Sequence, residues 1–169
     1  MKSLNILGVD PRAKSEIKLV PQAPLPHVSR RALARVKDRL EPPTDCPHCG
    51  ECVGLVSNAE VYHREYGEWP YVYLCAGCGA YVGLHPDTDL PLGTLADAAT
   101  RDARKAAKQP FRMIVQRRFR GDRGAAYLWL AGRMGIEPKA CHFGFFDVRQ
   151  CSQAATLIRQ ALGAGRAAS

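Results

Sequence analysis

Hydrophobic positions along the chain follow two different periods. Between residues 46 and 85 apolar and polar side chains alternate, the two-residue period of strands with one packed face. The pattern predicts short strands over residues 53–56, 60–66, 71–75 and 80–84. The middle two read as a hairpin around Gly67-Glu68-Trp69-Pro70. Five of the six tyrosines fall in this region, and β-branched and aromatic residues suit a half-buried pleated surface. After residue 94 the period becomes helical. Thr94 is a candidate cap with Asp97 in the first turn, and the helix runs through Ala98, Ala99, Ala103, Ala106 and Ala107 toward Pro110. Residues 111–119 read as a second helix or a kinked continuation. Residues 121–124 break it, and residues 125–134 form a helix that ends at Gly135. After a loop over 137–146, Asp147 and Gln150 make a capping box for a last helix. That helix presents Val148, Cys151, Ala155, Ile158 and Leu162 on one face, with a frayed tail from Gly163.

The first 28 residues have no sustained period and contain Pro11, Pro21, Pro24 and Pro26, the pattern of an extended or disordered arm. Ser29 caps a short basic helix over 30–40, with Leu33, Val36 and Leu40 on one face, and Pro42-Pro43 ends it. Residues 87–93 read as a linker.

Within the alternating region stand two CxxC pairs, Cys46-Pro-His-Cys49-Gly and Cys75-Ala-Gly-Cys78-Gly, separated by 25 residues. Two cysteines three apart can present both sulfurs to one metal ion, and two such pairs close a tetrahedral all-sulfur site. A glycine after each pair fits a turn whose backbone N–H groups point back at the sulfurs. The expectation is one structural Zn2+ on Cys46, Cys49, Cys75 and Cys78. Cys49-Gly-Glu-Cys52 is also a CxxC, so Cys52 and His48 stand as replacement ligands. Four thiolates leave no position for water, which argues against catalysis at the metal. The expected fold is α+β: an arm over 1–43, a zinc ribbon of short antiparallel strands over 44–90, and a three- to four-helix domain over 91–169.

Charge separates the same regions. Residues 42–100 carry eight acidic side chains and one basic, whereas residues 101–123 carry nine basic and two acidic. Arg101, Arg104, Lys105 and Lys108 recur at helical spacing, and Arg112, Arg117, Arg118, Arg120 and Arg123 extend the run. Such a stripe neutralises phosphates, so DNA or RNA is the expected partner, with Arg30, Arg31 and Arg35 adding an arm contact. A solvated face balanced by the acidic ribbon is the bland counterpart. The longest apolar runs are far shorter than a membrane span, and the start lacks the apolar core of a signal peptide. Both point to a cytoplasmic protein, and seven cysteines arranged in this way fit a reducing compartment. Two weaker constellations remain. Cys141-His142 offers a nucleophile beside a base, or, with Cys151 and His85, a second metal site. Asp87 and Asp89 offer paired carboxylates for a metal-dependent nuclease.

Several strings occur together in this order: the two knuckles, the second of them continuing as Gly79-Ala-Tyr-Val-Gly-Leu-His85, then Pro91-Leu-Gly-Thr-Leu-Ala96, Ala126-Tyr-Leu-Trp-Leu-Ala131 and Cys141-His-Phe-Gly-Phe-Phe-Asp147. This set resembles the zinc-finger-containing domain-of-unknown-function family of bacteriophages and prophages, over roughly residues 44–160. The resemblance implies a zinc ribbon joined to a small helical domain, with the four knuckle cysteines as ligands, in a bacterial host cell. It implies no activity. Residues 1–43 lie outside it, and residues 108–123 diverge from it. The leading expectation is a non-enzymatic nucleic-acid-binding accessory protein. A second is an adaptor or inhibitor that docks on a host bacterial protein through the basic stripe or an aromatic face of Tyr62, Trp69, Tyr71 and Tyr73. A third is the nuclease.

Overall fold

The computed structural model describes residues 4–164. The chain divides into two compact units, Met1–Asp97 and Ala98–Ser169.

The first unit is built on a three-stranded antiparallel sheet in the order β1 (Val53–Ser57), β2 (Tyr71–Cys75), β3 (Tyr81–Gly83). The register places Leu55 opposite Tyr73, and Tyr73 opposite Val82. All three are buried, with Cys75, Ala80, Leu84 and Leu95 around them. Burial does not simply alternate, however: in the central strand β2 the neighbours Val72 and Tyr73 are both buried, so both of its faces are covered.

The predicted hairpin does not form from residues 60–66. Ala59–Tyr62 is a single helical turn, α2. Asn58 is the cause. Its backbone N–H donates to the Pro70 carbonyl (2.8 Å), and its carbonyl accepts from the Val61 and Tyr62 amides (3.0 and 2.9 Å). Its buried amide side chain closes the loop by bonding both the carbonyl and the N–H of Tyr66 (2.7 and 3.1 Å). One buried side chain thus satisfies backbone groups that a strand would have paired.

Residues 4–28 are not a free extended or disordered arm, and residues 1–3 lie outside the described residues. Asp10 caps a 3-10 turn, Pro11–Lys14, through the Arg12 amide (2.9 Å). The Arg12 guanidinium then bridges Asp10 and Asp89, with two 2.8 Å bonds to the Asp89 carboxylate. Leu25 packs in the sheet's core, and Leu7 pairs with Arg39. The helix after Ser29 is also shorter than predicted. It is α1 (Arg30–Leu33), capped by the Ser29 hydroxyl on the Ala32 amide (3.4 Å). Beyond it the chain leaves α-helical geometry, as the Arg35 and Val36 amides reach the carbonyls three residues back, Ala32 and Leu33 (3.1 and 3.2 Å). Val36 and Leu40 are buried all the same. Leu33, Val36 and Leu90 form a second small core, so residues 87–93 are a packed loop rather than a linker.

The second unit is a three-helix assembly: α3 (Ala98–Phe119), α4 (Arg123–Met134) and α5 (Val148–Ala164). α3 begins at Ala98 and not at Thr94, since Ala96 is held in a two-bond bridge with Tyr81 (both 3.1 Å). It then runs unbroken through Pro110, which is buried beside Phe111. Packing of Ala107, Phe111, Ile114 and Val115 holds a helix that local propensity would have divided. Asp122 caps α4 at the Ala125 amide (2.9 Å). Asp147 and Gln150 form the predicted reciprocal box at α5 (2.7 and 3.0 Å). Phe143 and Phe146, from the loop before α5, are fully buried against Phe111 and Ile158 in one apolar core. Val148 departs from its predicted face and is 45% exposed, whereas Cys151, Ala155 and Ile158 are buried. Of the predicted frayed tail, Gly163 and Ala164 still belong to α5, and residues 165–169 lie outside the described residues. No helix among the described residues is long and apolar enough to cross a membrane.

Candidate metal centre

The knuckles are two copies of one hydrogen-bonded turn. The first precedes β1, and the second joins β2 to β3. In the first, the Gly50 amide donates to the Cys46 carbonyl (2.9 Å) and the Cys46 amide to the Glu51 carbonyl (2.8 Å). In the second, Gly79 donates to Cys75 (3.0 Å) and Cys75 to Ala80 (2.9 Å). Gly50 and Gly79 both sit at positive φ (81° and 69°), which a side chain would oppose. These are the glycines that the sequence places after each pair.

The turns bring Cys46, Cys49, Cys75 and Cys78 together. Their Sγ atoms all lie within 4.8 Å of one another. Cys49 and Cys75 are 3.4 Å apart, and Cys46 and Cys78 3.5 Å. These separations are far too long for a disulfide, and all seven cysteines are free thiols. Ligands about 2.3 Å from a tetrahedral zinc stand about 3.8 Å from one another. An all-sulfur set at this spacing fits one structural zinc ion.

Backbone N–H groups supplement the sulfurs. At Cys75 the Cys78 N–H is the strongest influence; with the Cys49 thiol and the Gly77 N–H it outweighs burial and brings the thiol down to about 7. The Glu51 N–H acts in the same sense on Cys49, but the neighbouring Cys75, Cys78 and Cys46 thiols and burial outweigh it and hold that thiol up at about 12. Without a cation, crowded sulfurs share few negative charges. A bound Zn2+ removes that constraint, because coordination deprotonates thiols outright.

Gly77 is a feature of the site that ligand spacing alone does not reveal. A Cβ there would lie 2.7 Å from the Glu51 Cγ and 3.4 Å from the Cys49 sulfur. A side chain at this position would require the Glu51 side chain of the other knuckle to shift. The replacement ligands are occupied elsewhere or outside the cluster. The His48 Nε2–H donates to the Leu95 carbonyl (3.2 Å), and its Nδ1 stands 3.7 Å from Asp97. Cys52 is exposed and is not in the cluster.

The two weaker constellations are not assembled. Among the described residues, no other group of three or more His, Cys, Asp or Glu ligands gathers. Asp89 is held by Arg12, and Asp87 pairs with the His27 imidazole (3.1 Å). Cys141 is buried, which pushes its thiol up to about 11, away from the thiolate a nucleophile needs. The His142 Nδ1 accepts from the Gly144 amide (3.1 Å). Burial also raises the Cys151 thiol. Of the expected aromatic face, Trp69 and Tyr71 pack edge to face (5.1 Å) against the sheet's core cluster, and Tyr62 is exposed. Tyr73 is buried, with its hydroxyl donating to the Asp89 carbonyl (2.7 Å), and the Trp69 indole donates to the Thr88 carbonyl (3.0 Å).

The basic residues lie mostly on α3, which carries seven basic side chains and one acidic. At 3.6 residues per turn, Arg101, Arg104, Lys105, Lys108 and Arg112 fall within an arc of about 100°. Lys105, Lys108 and Arg112 are exposed, while Arg101 and Arg104 are half-buried. The Arg104 Nε–H donates to the Phe146 carbonyl (2.9 Å). Partial burial, and then the Arg104, Arg112 and Arg123 guanidiniums, push the Lys108 ammonium below its ordinary value. Arg123, at the start of α4, thus joins the cluster from a second helix. The remaining three do not share the face. Arg117 lies about 140° round the helix from Arg112. Arg118 stacks over the Trp129 ring (5.5 Å), and Arg120 follows the helix in a left-handed conformation (φ 51°).

No curated protein and no solved structure matches the chain. A family profile, described as a zinc-finger-containing domain, matches residues 42–161, which include both knuckles and most of the helical unit. With four knuckle sulfurs converging as that description requires, the chain belongs to this family of zinc-finger-containing domains of unknown function.

Proposed function

We propose that this is a zinc-stabilised nucleic-acid-binding accessory protein that makes its contacts through the helical unit and catalyses no reaction. The observation that carries the reading is the cluster of cations on α3 and α4. Arg104, Lys105, Lys108 and Arg112 share one arc of α3, and the Lys108 ammonium is lowered first by partial burial and then by the Arg104, Arg112 and Arg123 charges. Like charges gathered on one surface repel, and a polyanion relieves that repulsion while releasing counterions.

Net charge supports the same division of labour. The sequence from residue 98 onward carries fourteen basic and four acidic side chains, and residues 1–97 carry ten basic and twelve acidic. The zinc unit is then a folded support whose acidic surface does not meet phosphates. The contacts expected are Arg101, Lys105, Lys108, Arg112 and Arg123, with Arg104 held in place by Phe146. A phage or prophage setting in a bacterial cytoplasm is part of the proposal and rests on the sequence resemblance alone.

Fluorescence anisotropy of the zinc-loaded chain with labelled single- and double-stranded DNA and RNA, over a range of salt, tests this. Binding should weaken steeply with salt. The triple variant Lys105→Glu/Lys108→Glu/Arg112→Glu should lower the slope of log K against log salt by about two to three. Absence of binding to every probe at low salt would reject the reading. Salt-insensitive capture of one host bacterial protein, with no nucleic-acid binding, would replace it by the adaptor.

A further inference from the structure

We propose that the groove between the C-terminal halves of α3 and α5 docks an acidic amphipathic helix of a partner protein. This is independent of the nucleic-acid reading and uses different residues. The groove is shallow and open to solvent, with a volume of about 350 Å³. Pro110 and Met113 of α3 and Leu162 of α5 supply its apolar surface, and Arg117 and Arg159 stand among its lining residues.

Met113 is 40% exposed although it adjoins the core residue Ile114. A flexible thioether at the surface of a groove adapts to many apolar partners. Gly163 leaves one end of the lining without a side chain. Two helices packed side by side offer a trough that a third helix fills, with apolar anchors three and four residues apart.

Charge selects the occupant. No carboxylate lines the groove. Of the four acidic residues beyond position 97, Asp122 and Asp147 are committed to helix caps. Arg117 and Arg159 form no ion pair among the described residues. A helix with apolar residues on one face and carboxylates along its edges would satisfy both guanidiniums while covering Met113 and Leu162. The apolar lining distinguishes this site from the Lys105–Lys108–Arg112 face, where cations stand on solvated helix surface. Arg117 belongs to the groove on this account, which explains why it leaves the basic stripe.

The probe is a fluorescein-labelled synthetic helix of about 14 residues, two-thirds the length of α3, with leucines on one face and glutamates flanking them. It is titrated into the full zinc-loaded chain. Saturable binding is expected. It should weaken at least about tenfold in Arg117→Glu/Arg159→Glu and in Met113→Ser, both with unchanged helical circular dichroism. The same peptide with its leucines replaced by serine should not bind. Equal binding of the serine peptide, indifference to Met113→Ser, or no binding at all would overturn the proposal. A Met113→Ser variant that loses duplex DNA to the same extent would overturn it in favour of nucleic acid. Self-association in sedimentation that Met113→Ser abolishes would overturn it in favour of a second copy.

Discussion

The two units of this protein reach a folded state by opposite means. In the helical unit a single apolar core does the work: Phe111, Ile114, Leu130, Phe143, Phe146 and Ile158 are all at most 2% exposed and lie in one cluster. The first unit has more residues but divides its apolar side chains between two smaller clusters. It adds polar fastenings instead: four sulfurs around one ion, the Arg12 bridge between Asp10 and Asp89, and the Asn58 clasp on Tyr66. A unit with small separate cores depends on such ties, and a metal site's binding free energy is then folding free energy. Losing a fastening and losing a core side chain should therefore damage different halves of the molecule.

The largest difference is expected at the metal. Cys75→Ser removes one ligand from a site whose binding contributes on the order of 10 kcal/mol. Zinc content should drop, and near-ultraviolet signals from Trp69 and the ribbon tyrosines should be lost while helical circular dichroism largely remains. Phe143→Ala should act in the other unit. It deletes a fully buried ring packed on Phe111 and Phe146 and should cost about 3–5 kcal/mol. Helical signal should melt earlier, with zinc affinity unchanged in a competition titration.

Gly77→Ala sharpens the comparison within the metal site itself. The added methyl clashes with the Glu51 side chain and comes into contact with the Cys49 sulfur. Zinc affinity should fall by about tenfold, as for other perturbations just outside the ligands. Arg12→Ala is expected to be smallest. Asp10 would keep its burial and lose its partner, but Arg12 is 39% exposed, so the cost should be about 1–2 kcal/mol. The same contact gives a pH signature. Burial raises the Asp10 carboxyl, but the Arg12 bonds outweigh it and hold the group below its ordinary 3.8. Its stabilisation is thus present above the ordinary value and is lost as the pH falls through the folded one. Denaturant titrations of the native chain and Arg12→Ala should converge as the pH falls below about 4.

The features legible in the sequence were those whose partners lie close along the chain. The CxxC spacing, the glycines after each pair, and the caps at Ser29 and Asp147 each involve partners within a few residues. What escaped was set by distant partners. Arg12 and Asp89 are 77 positions apart, so nothing local distinguishes residues 4–28 from a disordered arm. The turn at Ala59–Tyr62 has strand-like composition and is decided by one asparagine reaching forward to Tyr66. Pro110 reads as a break, yet the core beneath it carries the helix through. The ligands of the metal centre were evident from spacing, whereas the role of Gly77 depends on a knuckle 25 residues away.

Amide hydrogen exchange of the full chain, with zinc bound and after chelation, tests most directly whether the metal sustains only the first unit. Amides of β1, β2 and β3 should lose their protection on chelation, while those of α3, α4 and α5 keep theirs. Protection retained in the strands without zinc, or lost together in strands and helices, would contradict the division between a metal-fastened unit and a core-packed one.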